Sequence, residues 1–407
     1  MKILHTSDWH LGKRLESFSR HEEQKAVLNE ICEIADRERV NAIIITGDLF
    51  DTFNPPVEAV DLFYKTLKRL ANNGQRAVIA LAGNHDSPDR IEAPEPLARE
   101  CGILFAGYPN SHIAPFELET GLKVTRSEPG FIELQLPSIQ EPLRILLTPY
   151  ANELRLKSYL GHENTEQTLR DALKSSWENM AQTYCDNKGI NILAAHLFMA
   201  KEDADQPEEP EDEKPILFMG GTQVIYSADV PANIQYVALG HLHKEQVIDY
   251  QPCPIVYSGS PLAYSFSEAD QKKYAILIEA VPDDVVKLSE IQFTKGKPLM
   301  RVRFENIDEA VTWLVKHPNV FVELTIVSEM FLSSADRKRL NDAHESIVMI
   351  IPEIAAKETI QKDTSGHTDL NKSMEDLFRE FFLNKKGQAP NDRILNLFKE
   401  ILSEEGV

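Results

Sequence analysis

The chain opens with Met1-Lys2-Ile3-Leu4-His5-Thr6-Ser7-Asp8-Trp9-His10, in which an apolar run leads into an acidic and an imidazole side chain. The same order, a short apolar run followed by residues that bind metal ions, recurs through the first two-thirds of the sequence. The motifs are Asp8-Trp9-His10, Gly47-Asp48 with Phe50-Asp51, Gly83-Asn84-His85-Asp86, Ala195-His196 and Gly240-His241-Leu242-His243. This repetition predicts one site that is assembled from distant segments.

The apolar runs before the motifs predict buried β-strands, because they are short and rich in β-branched residues. The runs are residues 3–4, 40–45, 77–81, 190–194 and 236–239. Helix-length segments separate the first three, which predicts an α/β fold with a largely parallel core. Ligands of open α/β sheets bind beyond the carboxyl ends of the strands, and every motif occupies such an end.

Seven side chains of these motifs are candidate metal ligands. They are Asp8, His10, Asp48, Asn84, His196, His241 and His243. This set is larger than one tetrahedral site needs, and it contains no thiolate, which argues against structural zinc. Imidazole, carboxylate and amide ligands suit Mn²⁺, Fe²⁺ or Zn²⁺ at a catalytic site. Asp48 is a candidate bridge between two ions, which at roughly 3.5–4 Å from each other act together on a phosphoester.

The third motif also supplies two candidate catalytic residues. If Asn84 is a ligand, the adjacent His85 points elsewhere and is placed to contact the phosphate or protonate the leaving oxygen. Asp86 is a candidate to fix the tautomer of His85. A structural role is the preferred explanation for the histidines outside the motifs, which are His5, His21, His112, His162, His317, His344 and His367.

In this order the motifs resemble the signature of the calcineurin-like metallophosphoesterases. The closer resemblance is to the SbcD family of exonuclease subunits, the bacterial counterpart of the Mre nucleases. It rests on residues 1–12, 47–52, 82–87 and 236–243, together with 257–261 and Ser265-Phe266. The resemblance covers most of the chain and is weaker beyond about residue 270.

The resemblance implies a metallophosphoesterase β-sandwich flanked by helices, and it assigns roles to the candidate residues. Asp8, His10, Asp48 and His243 would hold one ion, and Asp48, Asn84, His196 and His241 the other. His85 would take the family's catalytic histidine role. The family depends on Mn²⁺, so manganese is the expected metal, a choice that spacing alone does not make.

The pattern of the chain changes after residue 274, and together with the resemblance this predicts four segments. Residues 1–274 would form the phosphoesterase nuclease domain, and 275–356 a small α+β capping domain that limits or directs DNA entry. Residues 357–371 are a polar linker. Residues 372–407 form two amphipathic helices, whose apolar faces predict docking on a partner. The family precedent is the coiled-coil base of an SbcC-like ATPase, and packing on the capping domain is the alternative.

Two more helices are predicted near residues 57–73, after Pro55-Pro56, and near 90–101. Helices of this region pair across a two-fold axis in the family, so a homodimer is expected. Packing of the same apolar face on the sheet is the competing explanation.

The formal net charge of −21 over 407 residues is unfavourable for a nucleic-acid enzyme. Bound cations, confinement of acidic residues to a run at 202–213 that is predicted to be a solvated or mobile loop, and DNA contacts made by a partner would reduce the conflict. Lys13, Arg14 and Arg20 are candidate phosphate contacts, and ordinary surface charge is the alternative explanation. The sequence has no apolar run of membrane-spanning length and no leader, and its four scattered cysteines are expected to be reduced, which together predict a cytoplasmic protein.

The function predicted from the sequence is a Mn²⁺-dependent DNA exonuclease or endonuclease subunit that processes ends and hairpins by two-metal hydrolysis. Two alternatives remain. One is a metallophosphoesterase that acts on small phosphodiesters, nucleotides or phosphoproteins, and the other is a non-catalytic scaffold of the same fold.

Overall fold

The structure is a computed structural model. It describes residues 1–156, 165–205, 207, 224–328 and 332–354, and in the C-terminal tail residues 374–375, 377–379, 382, 390, 395 and 398. The predicted linker at 357–371, most of the acidic run at 202–213 and most of the two predicted tail helices lie outside these residues.

The described residues form twenty β-strands and eight α-helices. The strands are β1 (Lys2–Thr6), β2 (Arg14–Leu15), β3 (Phe18–Ser19), β4 (Ala42–Thr46), β5 (Ala77–Leu81), β6 (Ile103–Ala106), β7 (Lys123–Glu128), β8 (Phe131–Gln135), β9 (Leu143–Thr148), β10 (Ile190–His196), β11 (Met199–Ala200), β12 (Ile225–Tyr226), β13 (Tyr236–Gly240), β14 (Gln246–Asp249), β15 (Ile255–Tyr257), β16 (Tyr274–Glu279), β17 (Lys287–Gln292), β18 (Leu299–Phe304), β19 (Phe321–Ser328) and β20 (Ile347–Ile354). The helices are α1 (His21–Arg37), α2 (Val57–Ala71), α3 (Pro88–Glu92), α4 (Glu95–Ala98), α5 (Glu153–Leu156), α6 (Thr165–Tyr184), α7 (Ile307–Lys316) and α8 (Ser334–Ala343).

The first sheet has the strand order β17-β16-β1-β4-β5-β6. β1, β4, β5 and β6 are parallel, with Ile3 opposite Ala42 and Ala42 opposite Ala77. Every residue of β4 and β5 is buried, which explains why these strands are continuously apolar rather than alternating. The first three motifs follow β1, β4 and β5, so they lie at one edge of this sheet.

The second sheet has the order β14-β15-β13-β10-β9-β8-β7. Its centre is parallel, because β9, β10, β13 and β15 run in one direction, and antiparallel strands complete both sides. The last two motifs lie at the carboxyl ends of β10 and β13. The five motifs are therefore divided between two sheets.

The two sheets form a sandwich that helices cover on its outer faces. Apolar side chains from both sheets share one core, exemplified by Ile44 and Ile79 from the first and Ile145 and Ile192 from the second. α1 and α2 cover the outer face of the first sheet, where Phe63 packs against Trp9, and α6 covers the second. This arrangement confirms the predicted β-sandwich flanked by helices.

A buried histidine joins the two sheets. His5 shares hydrogen bonds with the Tyr236 hydroxyl and the Thr46 hydroxyl, each at 3.0 Å. Burial lowers the pKa of His5 to about 3, so the ring is neutral and can use one nitrogen as donor and the other as acceptor. This agrees with the structural role expected for His5.

Two sequence-based boundaries differ from the structure. The sequence predicts that the strands at 275–293 begin the capping domain, but β16 pairs antiparallel with β1, and β17 pairs with β16. They therefore complete the edge of the first sheet beyond residue 274. The helix predicted near 90–101 is divided into α3, α4 and a 3₁₀ turn at Arg99–Cys101, because Pro94 and Pro96 lack the N–H groups that a continuous helix needs.

A second compact unit comprises residues 302–318 and the described residues from 324 onward. It contains α7, α8 and most of a three-stranded sheet of order β18-β19-β20. Asn306 caps α7 by accepting a hydrogen bond from the Asp308 N–H at 2.7 Å. In the tail, the Phe378 ring stacks on the Phe398 ring at 4.0 Å between centroids. No helix in the described part of the chain is long and apolar enough to cross a membrane.

Candidate metal centre

The candidate ligands occupy unusual backbone positions at the strand ends. Asp8, His10, Asp48 and His241 have φ angles of +53°, +42°, +46° and +109°. Such angles are rare for residues with a side chain, and they persist where the surrounding structure holds them, often at functional sites. Backbone hydrogen bonds supply part of that restraint, because the Asp8 N–H donates to Gly47 O at 3.0 Å and the His10 N–H to Asp48 O at 2.9 Å.

Two glycines allow the motif loops to approach one another closely. A Cβ atom on Gly83 would lie 2.1 Å from Asp48 Oδ1, and one on Gly240 would lie 1.7 Å from the Thr46 carbonyl oxygen. Gly240 belongs to the second sheet and Thr46 to the first, so this contact brings the edges of the two sheets together. The glycines of the motifs are thus required by packing at the site.

One group of candidate ligands consists of Asp8, His10 and His243, whose donor atoms lie within 4.8 Å of one another. The Nε2 atoms of His10 and His243 face each other at 3.0 Å. Asp8 is oriented by two hydrogen bonds, from the Ser7 hydroxyl at 2.6 Å and from the His241 N–H at 2.9 Å. All three candidate ligands are buried.

A buried carboxylate lies behind this first group. The Nδ1 atom of His243 donates to Glu268 Oε1 at 3.1 Å, which directs Nε2 toward His10. Glu268 also accepts a hydrogen bond from the Lys273 ammonium. Burial would raise the pKa of Glu268, but the charges of Lys273 and His243 lower it overall, so the carboxylate is ionised. Carboxylate–histidine pairs of this kind typically orient and strengthen metal-binding imidazoles.

The second group consists of Asp48, His196 and His241, whose donor atoms also lie within 4.8 Å of one another. His196 Nδ1 donates to the Thr46 carbonyl oxygen at 2.8 Å, so Nε2 faces the site. Asn84 Oδ1 lies 2.8 Å from this Nε2 atom, which places the amide in the same group. Burial lowers the pKa of His196, but the Asp48 and Asp8 carboxylates raise it to about 8 overall.

Asp48 belongs to the second group and borders the first. Its Oδ1 accepts the His85 N–H at 2.9 Å, whereas its Oδ2 accepts no conventional hydrogen bond from the described residues. Imidazole nitrogens flank Oδ2, His196 Nε2 at 3.3 Å and His10 Nε2 at 3.7 Å. A buried carboxylate oxygen surrounded by ring nitrogens is an environment that a divalent cation fits. Burial would raise the pKa of Asp48, but the His196 and His85 charges lower it.

His85 lies beside the first group. Its ring centroid is 4.9 Å from that of His10, and its Nδ1 donates to the Asp51 carbonyl oxygen at 2.8 Å. The prediction that Asp86 fixes the tautomer of His85 is wrong, because the Asp51 carbonyl does so. The Asp86 carboxylate instead accepts three backbone N–H groups, at 2.8–3.0 Å, and joins the second and third motif loops.

The structure also identifies supporting residues that the sequence patterns do not indicate. Arg155 is 5 % exposed and donates to the carbonyl oxygens of Gly83 and Asp86 at 2.7 and 2.8 Å, which holds the third loop. Its position on a four-residue helix gives no signal in the sequence. Of the predicted phosphate contacts, Arg20 is 1 % exposed and paired with Glu23 at 2.5 Å, so it serves the fold.

Comparison with known proteins identifies the family. Residues 1–245 match the family model described as calcineurin-like phosphoesterase. The chain is 36% identical over 411 residues to the SbcD subunit of nuclease SbcCD from Bacillus subtilis, covering 99% of this chain and 98% of that protein. The chain belongs to the SbcD family of calcineurin-like phosphoesterases. It is therefore a metal-dependent phosphoesterase.

Other SbcD family members match along the whole chain as well. The SbcD subunit of nuclease SbcCD from Staphylococcus epidermidis is 27% identical and matches over 100% of both chains. The Escherichia coli protein of the same name is 25% identical over 99% of this chain and 98% of its own length. The second unit and the tail are thus within the matched length in each case.

Proposed function

We propose that this protein is the nuclease subunit of a DNA end- and hairpin-processing complex, and that it hydrolyses phosphodiester bonds with two Mn²⁺ ions. The observation that carries the proposal is the position of Asp48 between two buried groups of oxygen and nitrogen donors. A single structural ion would need only one of these groups. Asp48 Oδ2 lies near imidazole nitrogens of both groups, and two groups that adjoin one carboxylate are suited to a pair of ions acting on one phosphate.

Asp48 belongs to both proposed ligand sets. Asp8, His10, Asp48 and His243 would hold one ion, and Asp48, Asn84, His196 and His241 the other. When bound, such a pair polarises the phosphate and ionises a water molecule near neutral pH. Imidazole, carboxylate and amide donors without a thiolate suit manganese, which is the metal we propose.

The residues of the chain then have distinct tasks. Ser7, Glu268 and the Thr46 carbonyl orient the ligands before substrate arrives. The Asp51 carbonyl holds the proton on His85 Nδ1, so Nε2 is the atom that would contact the phosphate or transfer a proton to the leaving oxygen.

DNA is the proposed substrate because the relatives that match the full chain are named as SbcD subunits of nuclease SbcCD. The net charge of −21 makes extended DNA binding by this chain alone unfavourable. We therefore propose that an SbcC-like ATPase contributes DNA contacts and binds residues 372–407, and that residues following the catalytic sheet cap the site. We also propose that the protein is cytoplasmic.

A homodimer through the regions near 57–73 and 90–101 is also proposed. Val57 is 83% exposed and Leu97 is 79% exposed, although both are large apolar residues. The segments just before the two helices contact each other, because Arg90 of α3 donates to Asn54 Oδ1, ahead of α2, at 2.9 Å. Exposed apolar residues on neighbouring elements are typical of an interaction surface. Most of the α2 apolar face, including Phe63 and Leu67, is instead buried on the sheet.

One assay separates the proposed function from its alternatives. The purified protein with Mn²⁺ is incubated with linear duplex DNA, hairpin DNA and a chromogenic phosphodiester. The proposal expects cleavage of DNA, and Zn²⁺ or Mg²⁺ in place of Mn²⁺ tests the metal. Hydrolysis of the chromogenic ester alone, also in the presence of the ATPase, would favour a small-molecule esterase. Lack of any hydrolysis would favour a scaffold.

The tail is tested by truncation after residue 370. The shortened protein is expected to keep Mn²⁺-dependent hydrolysis of the chromogenic ester, because all motif residues lie upstream of residue 244. It is expected to lose association with the ATPase in a pull-down, together with ATP-stimulated DNA cleavage. Equal recovery of the ATPase by both proteins would show that residues 372–407 are not the docking segment.

A further inference from the structure

Three basic residues follow the first motif, and the structure gives them different surroundings. The Lys13 N–H donates to the His10 carbonyl oxygen at 2.9 Å, so this lysine lies one turn beyond a candidate ligand. Arg14 belongs to the β2–β3 hairpin, and its guanidinium donates to the Ser17 carbonyl oxygen within that hairpin. Arg20 is buried in the fold. Of these three candidate phosphate contacts, Lys13 is the one whose charge lies beside the candidate ligands.

Two contacts place the Lys13 ammonium next to the first group of candidate ligands. Its Nζ atom lies 3.7 Å from Asp51 Oδ1 and 5.7 Å from the centre of the Tyr264 ring. The same Asp51 oxygen lies 3.7 Å from His10 Nδ1, and the Tyr264 ring is 5.5 Å from the His10 ring. Lys13 Nζ and His10 Nδ1 are therefore at most twice 3.7 Å apart. The ammonium is thus held within reach of a substrate that occupies the site.

The contact between Lys13 and Asp51 is looser than the structural ion pair at the same site. Charge-assisted N–H···O hydrogen bonds are about 2.7–2.9 Å long, which is shorter than the 3.7 Å between these two side chains. Lys273, by contrast, is buried and donates a hydrogen bond to Glu268. The Lys13 and Asp51 side chains are 11% and 27% exposed, whereas that of His10 is fully buried. Lys13 is therefore suited to a negative group that arrives from solvent.

The position of Asp51 decides which phosphate Lys13 can contact. Asp51 lies on the Nδ1 side of the His10 ring, whereas Nε2 faces His243 and the rest of the first group. The ammonium beside Asp51 is therefore displaced from the place where the reacting phosphate would be held. Each strand of DNA carries a further phosphate at about 3.4 Å along its axis. We propose that Lys13 binds the phosphate next to the cleaved one. This inference rests on the proposed function, because a small phosphodiester has no second phosphate.

The test compares Lys13→Ala with the unmodified protein on a single-stranded oligonucleotide and on the chromogenic phosphodiester, which has one phosphate. Loss of a hydrogen bond between charged groups should raise KM for the oligonucleotide about 10-fold, with little change in kcat. The loss of kcat/KM on the chromogenic ester should be much smaller. The dependence of log KM on log salt concentration should become shallower by about 0.7, the value for one phosphate contact on a single strand.

Matched controls separate this contact from general attraction between a cation and DNA. Lys188→Ala removes the same charge from an exposed position before the amino end of β10, opposite to His196, and should keep the KM of the unmodified protein. Lys13→Arg keeps the charge and should restore most of the affinity. On a strand with neutral methylphosphonates on both sides of the cleaved phosphate, the effect of Lys13→Ala should largely disappear, because its partner charge is already absent.

The outcomes distinguish this inference from the proposed function. A normal oligonucleotide KM in Lys13→Ala, while the unmodified protein cleaves DNA, would overturn the inference alone. Equal losses on the oligonucleotide and the chromogenic ester would also overturn it, because Lys13 would then support the site rather than a neighbouring phosphate. An undiminished effect on the methylphosphonate strand would do the same. Lack of DNA cleavage by the unmodified protein would contradict the proposed function and this inference together.

Discussion

The two halves of the proposed metal centre are oriented by different kinds of partner. In the half formed by Asp8, His10 and His243, a charged side chain lies behind the histidine, since His243 Nδ1 donates to Glu268. In the half formed by Asp48, His196 and His241, a backbone carbonyl serves instead, since His196 Nδ1 donates to Thr46 O. A substitution can remove the Glu268 side chain, whereas the Thr46 carbonyl belongs to the backbone of β4 and is present whatever residue stands there.

This difference predicts that the partners have unequal electrostatic effects on the two metal-binding imidazoles. A carboxylate behind an imidazole raises its basicity and strengthens its hold on a metal, whereas a carbonyl fixes the ring with a smaller electrostatic effect. Glu268 depends in turn on Lys273, so the first half rests on a buried ion pair. We therefore expect the two halves to respond differently to substitution, except at the carboxylate they share.

The largest effect is expected for Asp48→Ala. This substitution should remove both bound ions and so eliminate the difference between the two halves. Asp48 Oδ2 lies near imidazole nitrogens of both groups, so its loss removes the proposed bridge. Native mass spectrometry of the unmodified protein with saturating Mn²⁺ should count two ions per chain, and that of the variant none. Hydrolysis of the chromogenic ester should fall to background. A count of one ion that Asp48→Ala leaves in place would contradict the two-metal proposal.

The strand-end positions of the site could be predicted because local signals coincide there. Short, continuously apolar runs predict parallel buried strands, and β5 has the predicted bounds. Since the carboxyl ends of such strands meet, the motif residues had to converge. The structure places all seven candidate ligands in two adjacent groups, but the sequence does not reveal that the groups come from two sheets.

The supporting residues could not be predicted for physical reasons. Asp86 bonds to backbone N–H groups of two loops, and any sequence offers such groups. Glu268 lies on a 3₁₀ turn without a periodic pattern, far along the chain from His10. β16 resembles the first strand of a new domain, because an antiparallel strand added to a parallel sheet carries no mark of the sheet that it joins. By contrast, Pro94 and Pro96 do indicate a helix break within residues 90–101, since neither has a backbone N–H to donate.

An intermediate effect is expected for His85→Ala, which tests whether the first half lies beside the reacting oxygen. His85 is close to His10 but is not assigned as a ligand, so both ions should remain bound. Hydrolysis should fall by about 10²–10⁴-fold, the usual contribution of a general acid or base. Metal counts and rates on the chromogenic ester measure the two properties separately. The exposed His112, replaced by alanine, is the control, and a normal rate in His85→Ala would remove the role proposed for that residue.

The smallest effect is expected for Glu268→Gln, which should weaken one half only. The amide cannot supply the negative charge behind His243, so affinity for the first ion should fall by about 10–100-fold, as for other second-layer partners of metal ligands. The second ion should bind as before, because His196 is held by the Thr46 carbonyl. Calorimetric titration with Mn²⁺ should therefore show two separated binding steps in the variant.

Loss of folding would imitate this result, because Glu268→Gln leaves the Lys273 ammonium buried without its carboxylate. Breaking a buried ion pair in this way costs about 3–5 kcal/mol, whereas removing both charges avoids most of that cost. The double variant Glu268→Gln/Lys273→Met should therefore melt closer to the unmodified protein than Glu268→Gln does, yet still bind the first ion weakly. Glu290→Gln, on an exposed position of β17, is the charge-matched control for the single variant. If the double variant recovers full affinity in the first half, stability rather than the Glu268 charge accounts for the effect, and the two halves do not differ in the way proposed.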